Sequence, residues 1–546
     1  MPTTLALSWL AVTLLLQVPQ SRPERTGYQE TSRHSDVMEF LAAFQKSSPL
    51  IRVETFGWSE RGRPLPLAIL HDPPVSTPLQ ARSLLQPVFF VMANIHAGEV
   101  DGKEACLHLI RDLIAGKDPL LAKVILLVAP IFNADGNEEI DASHRRHQHG
   151  PFGGVGVRTT ASGLDLNRDF TKLRAVETRA LVRRIFNDWN PHVVVDCHTT
   201  DGSYHGFSLT FAPGQHPDSH EALTALTRDR LLPEAAKRVK ERSGHEISFY
   251  GDFKDDSDPS KGWVTYDWRA RYGVNCVGLR NRIGILSEAY VYRPFQERIE
   301  ATRHFLYALL EIVAESGAEV IETVARADAE TVALARAPSR PLFGLDCEIR
   351  AFPEPITVPV RAVRVDREAK PASPMVEILE EKERVTTPYF GYFEATRTRS
   401  LPAAYLVLPG YTEAIKLLQA HGLVVERLTQ AGTLDLEAAR VMQVERSRRP
   451  FQGGLLARLT IEIEARTIEA PPGSWLVRMD QPLARLAFHL LEPDSDDGLF
   501  AWGFFDTALS VMTPGAEQAI APVYRVTLTP PLATELVRDG RSPEDS

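Results

Sequence analysis

Four short apolar runs constrain this chain more than anything else in it. "QPVFFVMAN", "KVILLVAPIFN", "HVVVDCHTT" and "RIGILSEAY" are continuous and rich in β-branched and aromatic residues, as strands buried on both faces are. Between them, "DGKEACLHLIRDLIAG" and "AVETRALVRRIFNDW" repeat apolar residues at the three-and-four spacing of amphipathic helices. Strands alternating with helices predict an α/β domain with a mixed, largely parallel sheet flanked by helices, over about residues 35–317. Such sheets collect ligands at the carboxyl ends of their strands. Every suspicious polar residue here sits where an apolar run stops: His96 and Glu99, then Asn133 and Asp135, then His198, then Glu288.

The pattern changes beyond about Arg336. "ITVPVRAVRV", "AAYLVLPG", "RLTIEIEARTIEA" and "SWLVRMDQPLARLAFHLLEP" are β-patterned segments with Pro-rich joints, and "YTEAIKLLQAHGLVVERL" is a small α/β element. A chain of 546 residues exceeds one ordinary core. The organisation expected is a probable-signal segment over residues 1–24, a catalytic domain over 25–336, and a β-rich accessory region of one or two domains over 337–546. The acidic end "DGRSPEDS" reads as a loose tail.

Composition narrows the partners. A net charge of -10 without a long Lys/Arg block argues against nucleic acid. The apolar run Leu5 to Leu16 is short for a membrane span and suits the core of a signal peptide, with a cleavage site between Val18 and Ser21. Export, periplasmic or extracellular, is expected, with no stable membrane partner unless that segment stays uncleaved. Four scattered cysteines with no C-x-x-C form neither a disulfide framework nor a thiolate metal site.

Chemistry enters with "NIHAGEVDG". His96 and Glu99, three apart around Gly98, can reach one ion from a turn, and His198 can supply a third ligand from another strand. Two His and one Glu leave a fourth position open, as a catalytic zinc requires. Glu288, an acid at the end of a buried strand, has the setting in which a raised pKa makes a proton acceptor. Alone, each of these is also what a solvated loop pair or a structural ion pair looks like.

Further motifs change that. Asn133-Ala-Asp135-Gly136 closes a strand, Arg145 and Arg146 follow, and Asp165-Leu-Asn167-Arg168 comes after a glycine-rich loop. With H-x-x-E before them and the strand-end His198 and Glu288 after them, the set resembles the zinc metallocarboxypeptidase family, the carboxypeptidase A-like M14 peptidases, over about residues 35–315. The resemblance implies a carboxypeptidase-like fold and one zinc ion held by His96, Glu99 and His198. It implies Asp165 as the carboxylate orienting the first His, and Asn167 and Arg168 as the binders of the substrate's terminal carboxylate. It also implies Glu288 as the group that assists attack of zinc-bound water on the peptide bond. The family's oxyanion-stabilising Arg falls on Arg145 in preference to Arg146. "HRRHQHGP" carries His where a related bacterial pattern has Asn, so the two stay in competition. The family's mobile Tyr could be Tyr250, Tyr266 or Tyr272, with spacing favouring Tyr266. Asp196 is expected on the strand side opposite His198, in a structural or supporting role.

The resemblance implies hydrolysis of C-terminal peptide bonds, on peptides or on peptidoglycan-stem peptides. The related amino-acid deacylases share the zinc set but resemble shorter chains without a β-rich extension. A non-enzymatic peptide- or glycan-binding relative would have lost Glu288 or a ligand, and none is lost. "GDFKDDSDPSK" is acidic enough to draw Lys or Arg side chains, and equally reads as a solvated loop.

Overall fold

The structure is a computed structural model that describes residues 19–337, 339–370, 373–528 and 532–537. Most of the expected signal segment and the acidic tail lie outside the described residues.

The apolar runs become the middle of an eight-stranded sheet: β1 (Ile51–Trp58), β2 (Pro64–Leu70), β3 (Val88–Ala93), β4 (Ile125–Ala129), β5 (Val193–Thr200), β6 (Leu209–Pro213), β7 (Ile247–Phe249) and β8 (Ile283–Tyr290). Their order is β1-β2-β4-β3-β5-β8-β6-β7. The central four, β4-β3-β5-β8, run parallel, and β1, β2 and β6 attach antiparallel. Every residue of β3 and β4 is buried, so a side chain such as Phe89 or Phe90 contributes about 1.5–3 kcal/mol by leaving water. Parallel order puts the ends of β3, β4, β5 and β8 on one edge, which is where the polar residues gather.

Helix α1 (Asp101–Ala115) lies directly behind that edge, and its second residue is glycine for a steric reason. A Cβ at Gly102 would stand 2.4 Å from Cys197 Cβ in β5. The helix therefore seats against the strand that carries His198. Helix α2 (Phe295–Glu315) packs against α1, and its Arg298 is fully buried on Asp101 at 3.0 Å.

Both expected boundaries are flanked by packed residues: Ser21 Oγ meets His108 Nε2 at 2.9 Å, and Glu24 pairs with Arg111 at 2.7 Å. Strand Tyr389–Ser400 pairs antiparallel with Leu342–Ala351 and parallel with Trp263–Val264 of the catalytic part, so one sheet crosses the boundary. The hairpin Ile356–Val365 with Val376–Thr387 bridges back through His205 and Val360.

Residues 404–536 build a seven-stranded sheet whose long edge hairpin is β9 (Gly432–Arg446) and β10 (Ala457–Ala470). The small α/β element appears as helix Thr412–Ala420 followed by strand Glu426–Leu428. Among the described residues, no helix is long and apolar enough to cross a membrane, and all four cysteines are free.

Candidate metal centre

The chain leaves β3 through Asn94, whose φ of 62° is left-handed. Asn tolerates that region better than most residues, and its Nδ2 bonds the carbonyls of Ala97 and Glu99, which folds the turn. The turn brings His96 beside Glu99, and β5 delivers His198. His96 Nδ1 lies 3.1 Å from Glu99 Oε1, His198 Nδ1 lies 2.9 Å from Glu99 Oε2, and the two Nδ1 atoms are 3.2 Å apart. All three residues are buried.

This donor set fits a zinc ion. Asp165 Oδ1 sits 3.0 Å from His96 Nε2, which draws the ring proton there and leaves Nδ1 bare. Asp196 Oδ2 lies 3.0 Å from His198 Nε2 and favours the same arrangement, although it lacks hydrogen-bond alignment. Two imidazoles and a carboxylate thus converge, with a proton shared between His198 Nδ1 and Glu99 Oε2 where a cation could stand. The donor atoms lie 2.9–3.2 Å from one another, compact enough to converge on one ion.

Electrostatics agree. Burial opposes ionisation of Glu99, but His96, Arg145 and His198 outweigh it and hold the carboxylate well below its ordinary range. Burial likewise opposes a charged His198, and Asp196 and Glu99 outweigh it to lift this imidazole well above the usual histidine range. Asp165 is held low against its burial by His96, Arg158 and Arg168.

Glu288 stands opposite His198 in the parallel register of β8 and β5, so the two side chains leave the sheet on one face. No hydrogen bond or ion pair reaches its carboxylate among the described residues. Burial, reinforced by the Glu99 charge and only partly offset by His198, pushes its pKa up to about 8.

The two candidate arginines separate. Arg145 Nη1 donates to Glu99 Oε1 at 3.0 Å and Nη2 to the Thr199 carbonyl at 2.9 Å. Arg146 instead turns to the Ala369 carbonyl, away from the site. Gly98 is explained by the same contact: its Cβ would meet Arg145 Cδ at 2.7 Å and the Gly156 carbonyl at 3.0 Å. A second arginine escaped the sequence reading. Arg158, in the glycine-rich loop, donates Nε to Asp165 Oδ2 at 2.9 Å and holds Nη1 3.6 Å from Glu99 Oε1. Its only sequence signal was a lone basic residue just before Asp165-Leu-Asn167-Arg168.

Other expectations need correction. Asp196 does not face away from His198, because residues two apart on a strand share a face. The Tyr266 hydroxyl lies 3.0 Å from both the Pro213 carbonyl and Asn275 Oδ1. Tyr272 is the tyrosine beside the carboxylate-binding residues, with the Arg168 guanidinium 4.1 Å from its ring centre. Asn167 and Arg168 also part company. Asn167 is buried, with Nδ2 3.3 Å from His198 Nε2 and Oδ1 accepting the Gly273 N–H at 2.8 Å. Arg168 lines an open cavity of about 650 Å³ with Tyr272, Arg269 and Arg271, to which Arg446, Phe451 and Arg458 of the C-terminal region also contribute. Asn133 and Asp135 are structural: Asn133 caps a short helix at Gly136 N, and Asp135 receives Ser59 Oγ and Arg61 N.

A second group of possible ligands, His216, Asp218 and His489, is also buried. Within it Asp218 accepts from Gly344 N and lies 2.8 Å from His489 Nε2, and His216 Nδ1 accepts from Asp218 N. This group ties the C-terminal region to the catalytic part.

Comparison with known proteins completes the case. The zinc carboxypeptidase (peptidase M14) model matches residues 37–201. Carboxypeptidase 2 of Trichophyton rubrum is 24% identical over 516 residues, spanning 88% of this chain and 86% of that protein. Residues 37–201 thus carry a zinc carboxypeptidase domain. Mouse carboxypeptidase M is 31% identical over 145 residues, 25% of this chain and 30% of that protein. Among solved structures, carboxypeptidase A of Helicoverpa armigera aligns at a TM-score of 0.38 with 14% identity, covering 53% of this chain and 75% of that one. The matched model ends just past His198, and beyond it the sheet register puts Glu288 beside that histidine.

Proposed function

We propose that this chain is a zinc-dependent metallocarboxypeptidase that removes residues from peptide C-termini, with one zinc ion on His96, Glu99 and His198. The observation that carries the reading is the unpartnered Glu288 in register beside a ligand histidine. When bound, zinc supplies a Lewis acid for the scissile carbonyl and lowers the pKa of water toward about 7. Glu288 takes a proton from the attacking water onto its carboxylate and passes it to the leaving amine nitrogen, a role suited to a pKa near the working pH. Arg145 directs its guanidinium N–H groups toward the carbonyl oxygen as that oxygen gains charge. Asp165 and Asp196 hold the two imidazoles.

Arg168 is the clamp for the substrate's terminal carboxylate. Its planar fork matches both oxygens, and each charge-assisted bond is worth about 1.5–3 kcal/mol. Tyr272 supports it from below. Among the readings within the family, the whole-length resemblance to carboxypeptidase 2 favours peptides over peptidoglycan stems or acyl amino acids. We further propose that the chain is exported, on the strength of the apolar run Leu5 to Leu16; the N-terminal residue of the mature protein tests this. A matched pair of peptides, one with a free C-terminus and one amidated, tests the exopeptidase reading. Amidation should lower kcat/KM by about 100-fold or more, given the bonds Arg168 would lose. Equal cleavage of the two peptides would refute the clamp.

A further inference from the structure

The tip of the β9–β10 hairpin, from the C-terminal region, touches the metal centre. Phe451 and Gly454 close the tip as a two-residue turn, with Gln452 at φ 51° and Gly453 at φ 80°. A left-handed glutamine is strained and persists only where surrounding contacts hold it. Those contacts are specific. Gln452 Oε1 accepts the backbone N–H of Asp165 at 2.8 Å. Arg174 donates to the Gln452 carbonyl at 3.2 Å and to the Trp502 carbonyl at 2.7 Å. Phe451 stacks on Trp502, and Arg271 lies against both rings.

Asp165 is buried, and its carboxylate is already shared among His96 Nε2, Asn167 N and Arg158 Nε. Its own amide proton finds its acceptor on Gln452. A buried N–H left without an acceptor is destabilising, and a backbone free to rotate at Asp165 would let the His96 ring swing. We propose that Gln452 is a positioning residue of the metal centre, through which the C-terminal region fixes Asp165 and hence the orientation of His96. The C-terminal region is thus part of the working site as well as a wall of the cavity at Arg168.

This inference rests on His96 being a zinc ligand, and the test separates the two. Zinc dissociation constants are measured by chelator competition on the full chain for wild type, Gln452→Met, Gln452→Gly, Gln452→Glu and His96→Ala, alongside thermal unfolding and kcat and KM. Removing the acceptor in Gln452→Met should weaken zinc about 10-fold, the low end for partners that orient ligands, and lower kcat more than KM. Gln452→Glu keeps an acceptor and should retain wild-type affinity. Gln452→Gly relieves the left-handed strain while removing the acceptor, so it should fold and still lose affinity; it carries the test if Gln452→Met does not fold. Wild-type zinc affinity in folded Gln452→Met or Gln452→Gly overturns the proposal, as does equal loss in Gln452→Glu. Wild-type affinity in His96→Ala overturns instead the ligand assignment beneath it.

Discussion

Glu288 stands opposite His198 across the parallel strands β8 and β5, facing the ligand cluster without a hydrogen-bond or ion-pair partner of its own among the described residues. Its pKa of about 8 against an ordinary 4.5 has a consequence for the metal-free protein. Below about pH 4.5 the acid is protonated folded or unfolded. From there to about 8 the folded state keeps a proton that the unfolded chain has released, so stability falls as pH rises, by at most about 1.4 kcal/mol per pH unit. Glu288→Gln removes this slope. Urea unfolding of the metal-free proteins across that window should show the variant gaining on wild type with rising pH.

Arg145→Met and Arg146→Met should behave differently. Arg145 touches Glu99 and Thr199 at the site, and losing a donor to a developing oxyanion costs about 100- to 1,000-fold in kcat. Arg146 reaches only toward Ala369, so its variant should keep kcat within about a factor of three. Steady-state kinetics on a peptide with a free C-terminus decides between them.

The tyrosines make a second contrast. Tyr266→Phe removes a hydroxyl bonded to Pro213 and Asn275 and should cost about 1 kcal/mol of stability with little effect on KM. Tyr272→Ala withdraws the ring under Arg168 and should raise KM several-fold, since exposed cation–π contacts are worth about 0.5–1 kcal/mol. Thermal unfolding together with KM checks both.

A pH effect also sits where the two halves of the chain meet. Burial, with Arg280 nearby, holds His421 down to about 3, and its Nε2 meets the Thr171 carbonyl at 3.1 Å. The unfolded chain takes a proton near pH 6.5 that the folded one refuses, so this site's stability is complete above about 6.5 and lost as pH falls toward 3. His421→Gln keeps a donor but cannot titrate. Denaturation midpoints between about pH 4 and 7 should fall less steeply in that variant than in wild type.

The strand-end residues were legible because alternating buried strands and helices fix where carboxyl ends gather, and His96, Glu99, His198 and Glu288 all lie there. Faces and long-range contacts were less legible. Asp196 needed only the two-residue period of a strand to be placed beside His198. The contact of Tyr272 with Arg168 was not legible, because which cavity a loop tyrosine reaches leaves no periodicity in the sequence. Arg158 and Gln452 escaped for a related reason: Gln452 meets Asp165 across 287 residues of chain, and nothing local marks such a pair.

The central claim is that Glu288 moves the proton while His96, Glu99 and His198 hold the zinc. The most direct measurement is zinc content and peptidase rate on the same preparation of Glu288→Gln. The account predicts zinc retained at the wild-type level with the rate reduced about 100- to 10,000-fold, the usual range for losing a proton-transfer group. A variant that keeps its zinc and its full rate would contradict it.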